Sequence, residues 1–278
     1  MTAATIPAAL NRYAGGAHRQ VDGWLSQLDA DMALQIGLEQ RRMGLKGSVG
    51  EIGIHHGRLF ILLALTLQPG ETAFAVDIFG DQEANLDGSG YGDEAVFRQN
   101  MKRFEVADGQ VAVIRSSSTA IGWRDIEAQV KARARFFSID GGHTSEVTAN
   151  DMAIADEGLD DRGVVILDDW FNPEFPAVSE GACRHLIAHP GRLVPFAIGD
   201  NKVLFCRPGQ ADGYRAALRR TLPERLHMRT TTMFGAEVEV YATPHSILDR
   251  IRQSDLADQL RDHPLGRKLK PIVRRIFG

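Results

Sequence analysis

Three aspartates and a histidine stand where side chains could do chemistry. Asp140 ends the apolar run "RFFSID" (135–140), two glycines follow, and His143 comes three positions after the acid. Asp168 and Asp169 end a second run, "VVILDD" (164–169). If the two runs are neighbouring strands, three carboxylates come together and raise one another's pKa unless a cation lies among them. A hard divalent ion with oxygen ligands, Mg²⁺ in the first instance, resolves that conflict and leaves positions for substrate oxygens. Gly141 and Gly142 let the chain turn so that His143 faces the same spot, where an imidazole titrating near neutrality can take a proton as a general base. The plainer alternatives are that His143 sits at the surface or caps the helix starting at Thr144, and that Asp169 only caps a solvated turn.

The elements that must position these residues can be read from the apolar runs. Seven read as strands: 49–54, 73–78, 111–116, 135–140, 164–169, 202–206 and 237–242. Between the first five lie stretches with helical spacing, so strand and helix alternate as βαβ units require. The class is α/β, a doubly wound, seven-stranded, mostly parallel sheet. Residues 1–46 read as a helical cover packed beside the sheet, 47–245 as the catalytic domain, and 246–278 as a C-terminal helix and basic tail. The glycine-rich, acidic segment 79–93 lacks apolar periodicity and reads as a functional or mobile loop.

In an open parallel sheet, ligands bind outside the carboxyl ends of the strands, near the point where strand order reverses. Besides the acids above, those ends carry Glu51, Gly53 and Gly57 after the first strand, Asp77 after the second, and Ser116 to Ser118 after the third. In "GEIGIHHG" (50–57), Gly53 and Gly57 permit a tight strand-to-helix turn and close backbone approach of a ligand. His55 occupies the place of the middle glycine of a dinucleotide fingerprint, and no phosphate-loop Lys-Ser/Thr pair is present. Asp77, twenty residues past Gly57, is placed to accept hydrogen bonds from ribose hydroxyls.

Taken in order, "VGEIGIHHGRL", "FAVDIFGDQ", "FFSIDGGHTSEVTANDM" and "VVILDDW" resemble the class I S-adenosylmethionine-dependent methyltransferases. The likeness spans about residues 45–180. It points to the metal-dependent O-methyltransferase branch that modifies macrolide sugars, rhamnosyl groups and related hydroxyls in natural product biosynthesis. The resemblance implies a Rossmann-like methyltransferase fold with S-adenosylmethionine and Mg²⁺ as cofactors. It assigns Glu51, Gly53, His55 and Gly57 to the methionine-side turn, Asp77 to the ribose, Ser117 or Ser118 to the adenine border, and Asp140, Asp168 and Asp169 to the metal. Asp140 also borders the cofactor, and His143 falls where macrolide-sugar enzymes carry a basic histidine. Two departures stand out: His55 within the glycine turn, and "RSSS" where related enzymes often show Gly-Asp-Ser.

Composition narrows the partners. The chain has 278 residues, 44% hydrophobic and 24% charged, with a formal net charge of −4, ordinary for a globular protein with a sizeable core. Residues 263–278 hold five Lys/Arg and no acid, leaving about −9 on the remainder, so nucleic acid is not the expected partner. That tail reads either as a terminal helix docked on its own protein or as a short amphipathic segment making weak contact with an anionic membrane. With no signal pattern and a longest apolar run of nine residues, at 59–67, a cytoplasmic location is expected. Cys183 and Cys206 read as buried free thiols. A homo-oligomer is expected, with a small-molecule hydroxyl as acceptor. The rival readings are a metal-dependent glycosyltransferase using a nucleotide-sugar, against which "LDDW" lacks a spaced Asp-x-Asp, and a non-catalytic cofactor-binding scaffold.

Overall fold

Consecutive residues of the central strands feed opposite hydrophobic cores, as strands covered on both faces must. Val49, Phe136, Val164 and Ile166 enter one core, and Ile52, Phe137, Val165 and Leu167 the other. The structure, a computed structural model, describes residues 7–244 other than 82 and 84. The chain divides into a unit ending at Tyr241 and a second one from Ala242 onward. The helix and basic tail expected at 246–278 lie outside the described residues.

The strands are β1 (Ser48–Ile52), β2 (Ala73–Asp77), β3 (Val111–Arg115), β4 (Ala134–Ile139), β5 (Leu159–Leu167), β6 (Val194–Ile198), β7 (Val203–Cys206), β8 (His227–Met233) and β9 (Ala236–Tyr241). They form one sheet in the order β3-β2-β1-β4-β5-β7-β6-β9-β8. β1 to β5 run parallel, β7 is antiparallel to both β5 and β6, β9 is parallel to β6, and β8 closes the edge antiparallel to β9. From β1 the chain winds outward through β2 and β3, then returns to β4 on the other side of β1. Strand order therefore reverses between β1 and β4.

Among the described residues the sheet has nine strands, not the seven read from sequence. β6 carries Pro195, which cannot donate to a ladder and breaks the pattern of an apolar run. β8, "HMRTTTM", is a half-exposed edge strand with no apolar face to advertise it.

Helices cover both faces. On one lie α1 (Ala8–Ala14), α2 (Gln27–Arg42), α3 (Arg58–Ala64), α4 (Glu94–Arg103) and α8 (Ala211–Thr221); on the other lie α5 (Trp123–Val130), α6 (Ser145–Gly158) and α7 (Pro176–Ala188). The N-terminal helices share the core of the sheet: Leu10, Tyr13, Leu28 and Ile36 pack into the same cluster as Val49 and Phe136. Local chemistry sets the helix starts, since Ser26, Asp93 and Thr144 side chains accept hydrogen bonds from the amides of Asp29, Val96 and Val147.

Candidate functional site

Backbone ladders extend one residue past the strands and anchor the acids. The Asp140 amide donates to the Ile52 carbonyl at 2.8 Å, and the Asp168 amide to that of Ile139 at 3.0 Å. Gly53 lets the two turns meet: its φ is +79°, and a Cβ there would lie 1.8 Å from the Asp140 carbonyl oxygen. Three non-glycine residues with positive φ, His55, Phe79 and Asp169, follow β1, β2 and β5 and all line one cavity. Such conformations persist where the surroundings over-determine them, often at functional sites.

The cavity, of about 470 Å³, opens over the carboxyl ends of β1 to β5 at the reversal point. Gly53, His55, Asp77, Ser117, Ser118, Asp140, His143, Asp168 and Asp169 all line it. The structure thus brings together nine of the eleven residues singled out from sequence. Glu51 lies beneath, 2% exposed, and accepts a hydrogen bond from Ser138 Oγ at 2.8 Å. Burial and the nearby Asp140 push its carboxyl up to about 8. Gly57 caps α3 with φ +88° against Phe97 and does not line the cavity.

At one end, Asp77 ties the glycine turn together. Its Oδ2 accepts from the amides of Ile54 and His55 at 2.8 and 2.9 Å, and its Oδ1 from that of Phe79 at 2.5 Å. Burial raises its carboxyl against the pull of these donors. Ser116, Ser117 and Ser118 line the wall beyond β3.

At the other end, His143 is held on every side. Its Nδ1 lies 2.7 Å from Asp87 Oδ2 and 2.9 Å from Ser89 Oγ, and its Nε2 lies 3.1 Å from Asp169 Oδ2 and 3.9 Å from Asp140 Oδ1. Phe175 stacks on the ring at 3.9 Å between centroids, tilted by 13°. Burial opposes its charge, but the nearby Asp140 and Asp169 carboxylates outweigh it and raise the imidazole to about 10. Thr144, not His143, caps α6.

Ligand atoms of Asp140, His143 and Asp169 lie within 4.8 Å of one another. Asp168 faces the same cavity but is engaged differently: the buried Lys202 ammonium donates to its Oδ2, and Asn201 Nδ2 donates to Asp168 Oδ1 at 3.0 Å and Asp169 Oδ1 at 2.6 Å. Burial opposes the charge on Lys202, but Asp168, Asp140 and Asp29 hold it protonated above its ordinary range. Burial, with Asp140 and Asp169, pushes the Asp168 carboxyl upward against the pull of Lys202. The donors of Asp140 and Asp169 are hard oxygens crowded beyond what the cations present neutralise, which fits a divalent ion of the Mg²⁺ type, with Asp168 adjoining.

Sequence reasoning missed Asp87, Ser89, Asn201 and Lys202. Asp87 and Ser89 belong to the 79–93 loop, where only composition was informative. Lys202 opens β7's apolar run and reads there as a strand edge; its burial beside Asp29 of α2 depends on sheet order. Trp170 packs against Phe205 and Phe234, whereas Phe171 is 54% exposed.

Residues 51–170 match the family described as a methyltransferase domain. Among solved structures, the chain is similar to the O-methyltransferase NovP, with a TM-score of 0.57 at 14% identity over 73% of this chain and 97% of that one. It is also similar to the calicheamicin methyltransferase CalS11, with a TM-score of 0.50 at 14% identity over 65% and 80% of the two chains. The apo form of the same enzyme, described as a TDP-rhamnose 3'-O-methyltransferase, gives a TM-score of 0.50 at 15% identity over the same shares. No curated protein matches in sequence. At these identities the solved structures establish the fold alone, a Rossmann-like sheet like that of these methyltransferases.

Proposed function

We propose that this chain, a methyltransferase by its domain at residues 51–170 and by its class I fold, moves a methyl group from S-adenosylmethionine to a hydroxyl oxygen of a small molecule, with Mg²⁺ at the acidic end of the cavity. The observation that carries the reading is the two-ended cavity. A glycine turn stitched by Asp77 lies at one end, and an imidazole caged by carboxylates at the other. When bound, the cofactor supplies an electrophilic methyl group and the divalent ion makes a nearby hydroxyl more acidic.

Gly53, His55, Asp77, Ser117 and Ser118 would hold the cofactor, with Glu51 and Gly57 shaping the turn from beneath. Asp140 and Asp169 would hold the ion, with Asp168 beside them. His143 would accept the acceptor's proton at Nε2 during methyl transfer, with S-adenosylhomocysteine as the other product. Asp87, on Nδ1, fixes the tautomer and stabilises the imidazolium that results. The base must be neutral beforehand. The carboxylates that raise His143 to about 10 are those a divalent ion would engage, and its charge would lower the ring toward its ordinary range.

We assign the acceptor to the sugars or glycosylated natural products, since the cavity mouth offers Phe175 and the polar 79–93 loop, and CalS11, of similar fold, acts on TDP-rhamnose. No helix among the described residues is long and apolar enough to cross a membrane, and we place the chain in the cytoplasm as a homo-oligomer without a nucleic-acid partner. The test is calorimetric titration with S-adenosylhomocysteine, UDP-sugars and NAD. It is followed by turnover of S-adenosylmethionine with nucleotide-activated and glycosylated hydroxyl acceptors, with and without excess EDTA. Selective binding of S-adenosylhomocysteine and EDTA-sensitive methylation are expected. Binding of a UDP-sugar alone would overturn the reading, and methylation that persists in EDTA would remove the metal from it.

A further inference from the structure

A second group of ligating side chains stands at the cavity's edge, apart from the acidic cluster. Asp22, in the segment before α2, meets His55 and His56, in the turn after β1, and ligand atoms of all three lie within 4.8 Å of one another. His56 Nδ1 is 3.5 Å from Asp22 Oδ2 and completes no hydrogen bond. His55 Nδ1 is likewise buried without a hydrogen-bond partner, and the two rings lie 3.9 Å apart between centroids. Buried polar atoms are nearly always satisfied, so two unpaired imidazole nitrogens side by side, facing one carboxylate, call for a ligand that accepts lone pairs from both.

The surroundings hold the group in place. The His55 amide is fixed by Asp77, the His56 carbonyl accepts from Asn100 Nδ2 at 3.0 Å, and the other Asp22 oxygen accepts from the Gly23 amide at 3.0 Å. Arg58 Nε binds the Val21 carbonyl at 2.6 Å, which pins the segment carrying Asp22 against α3.

We propose that Asp22, His55 and His56 form a second metal site, for a late first-row transition ion such as Zn²⁺, Co²⁺ or Ni²⁺. Two imidazoles and one carboxylate make a borderline-soft donor set that suits these ions and disfavours Mg²⁺ or Ca²⁺, which take oxygen shells. Three protein ligands leave at least one position open to water or to a bound molecule. Asp22 comes from the N-terminal segment and the histidines from the glycine turn, so an ion here would clamp that segment to the cavity rim. The exposed Trp24 ring, 5.9 Å from His55, lines the cavity at that rim.

The test uses the full chain without a histidine tag, in saturating Mg²⁺ so that the acidic cluster is occupied. Zn²⁺ is titrated by calorimetry and Co²⁺ by visible absorption. One Zn²⁺ per chain is expected, with a Co²⁺ spectrum showing imidazole ligation. Asp22→Asn and His56→Gln should each weaken Zn²⁺ binding roughly tenfold or more. Asp169→Asn should leave it unchanged. The Asp22 side chain is 82% exposed, so Asp22→Asn decides the matter even if the histidine variant does not fold. Equal Zn²⁺ affinity in wild type and Asp22→Asn, or binding lost with Asp169→Asn instead, would overturn the site.

Discussion

Two buried ion pairs sit at opposite edges of the sheet, and they are built to opposite ends. At the amino ends of the strands, Arg135 is fully buried and each of its guanidinium nitrogens has a partner. Nε and Nη2 reach Glu71 at 3.2 and 2.9 Å, Nη1 reaches Gln40 at 2.9 Å, and Nη2 also reaches the Thr66 carbonyl at 2.9 Å. Glu71 in turn accepts from the amides of Gly47 and Gln68 at 3.0 and 2.7 Å. At the carboxyl ends, the Lys202–Asp168 pair sits among Asp140, Asp169 and Glu51, and burial beside these acids pushes the carboxyls of Asp168 and Glu51 upward. A charge-balanced network in which every nitrogen is engaged fixes the positions of the strands. An acid-rich one costs stability and keeps its capacity for a ligand.

The variant that separates the edges most sharply is His143→Ala. It should lower methyl-transfer turnover by about 10²- to 10⁴-fold while S-adenosylhomocysteine affinity and melting temperature stay close to wild type. An unchanged rate removes His143 from the chemistry. Arg135→Met should do the reverse, costing about 3–5 kcal/mol in denaturant unfolding by leaving the buried Glu71 carboxylate without its countercharge. Saturating Mg²⁺ should not rescue it. Lys202→Met should cost less, about 1–3 kcal/mol, because Asp168 can take up a proton, and Mg²⁺ should restore much of the loss. If Mg²⁺ stabilises both variants alike, the contrast between the edges fails.

Glu51 sharpens the same contrast through pH. Its folded pKa, about 8, lies above its ordinary 4.5, so the native state keeps a proton that the unfolded chain releases. Stability should therefore be greatest below about 4.5 as far as this group is concerned, and fall as pH rises toward about 8. Urea unfolding of Glu51→Gln across that window should show a flatter profile than wild type; an identical slope would place the effect elsewhere. The smallest effect belongs to Asp87→Asn, which should slow turnover about tenfold by loosening the His143 tautomer, with substrate KM little moved.

Most of the site was legible because a strand's period and its terminal acid are local properties. Asp140, Asp168 and Asp169 follow apolar runs long enough to read as strands, and His143 follows two glycines that admit only a turn. The fold class was legible for the same reason, whereas β6 and β8 were not: Pro195 and the Arg-Thr-rich edge hide the apolar signal on which the reading depends. Sequence by itself thus determined which residues stand at the strand ends, since alternation and turn chemistry are written in neighbours along the chain. Tertiary structure alone decided that Lys202 reaches Asp168, that Asp87 reaches His143 from a loop 56 residues away, and that Asp22 meets His55 and His56. Those contacts depend on strand order and on the path of loops across the sheet edge, which no local pattern encodes.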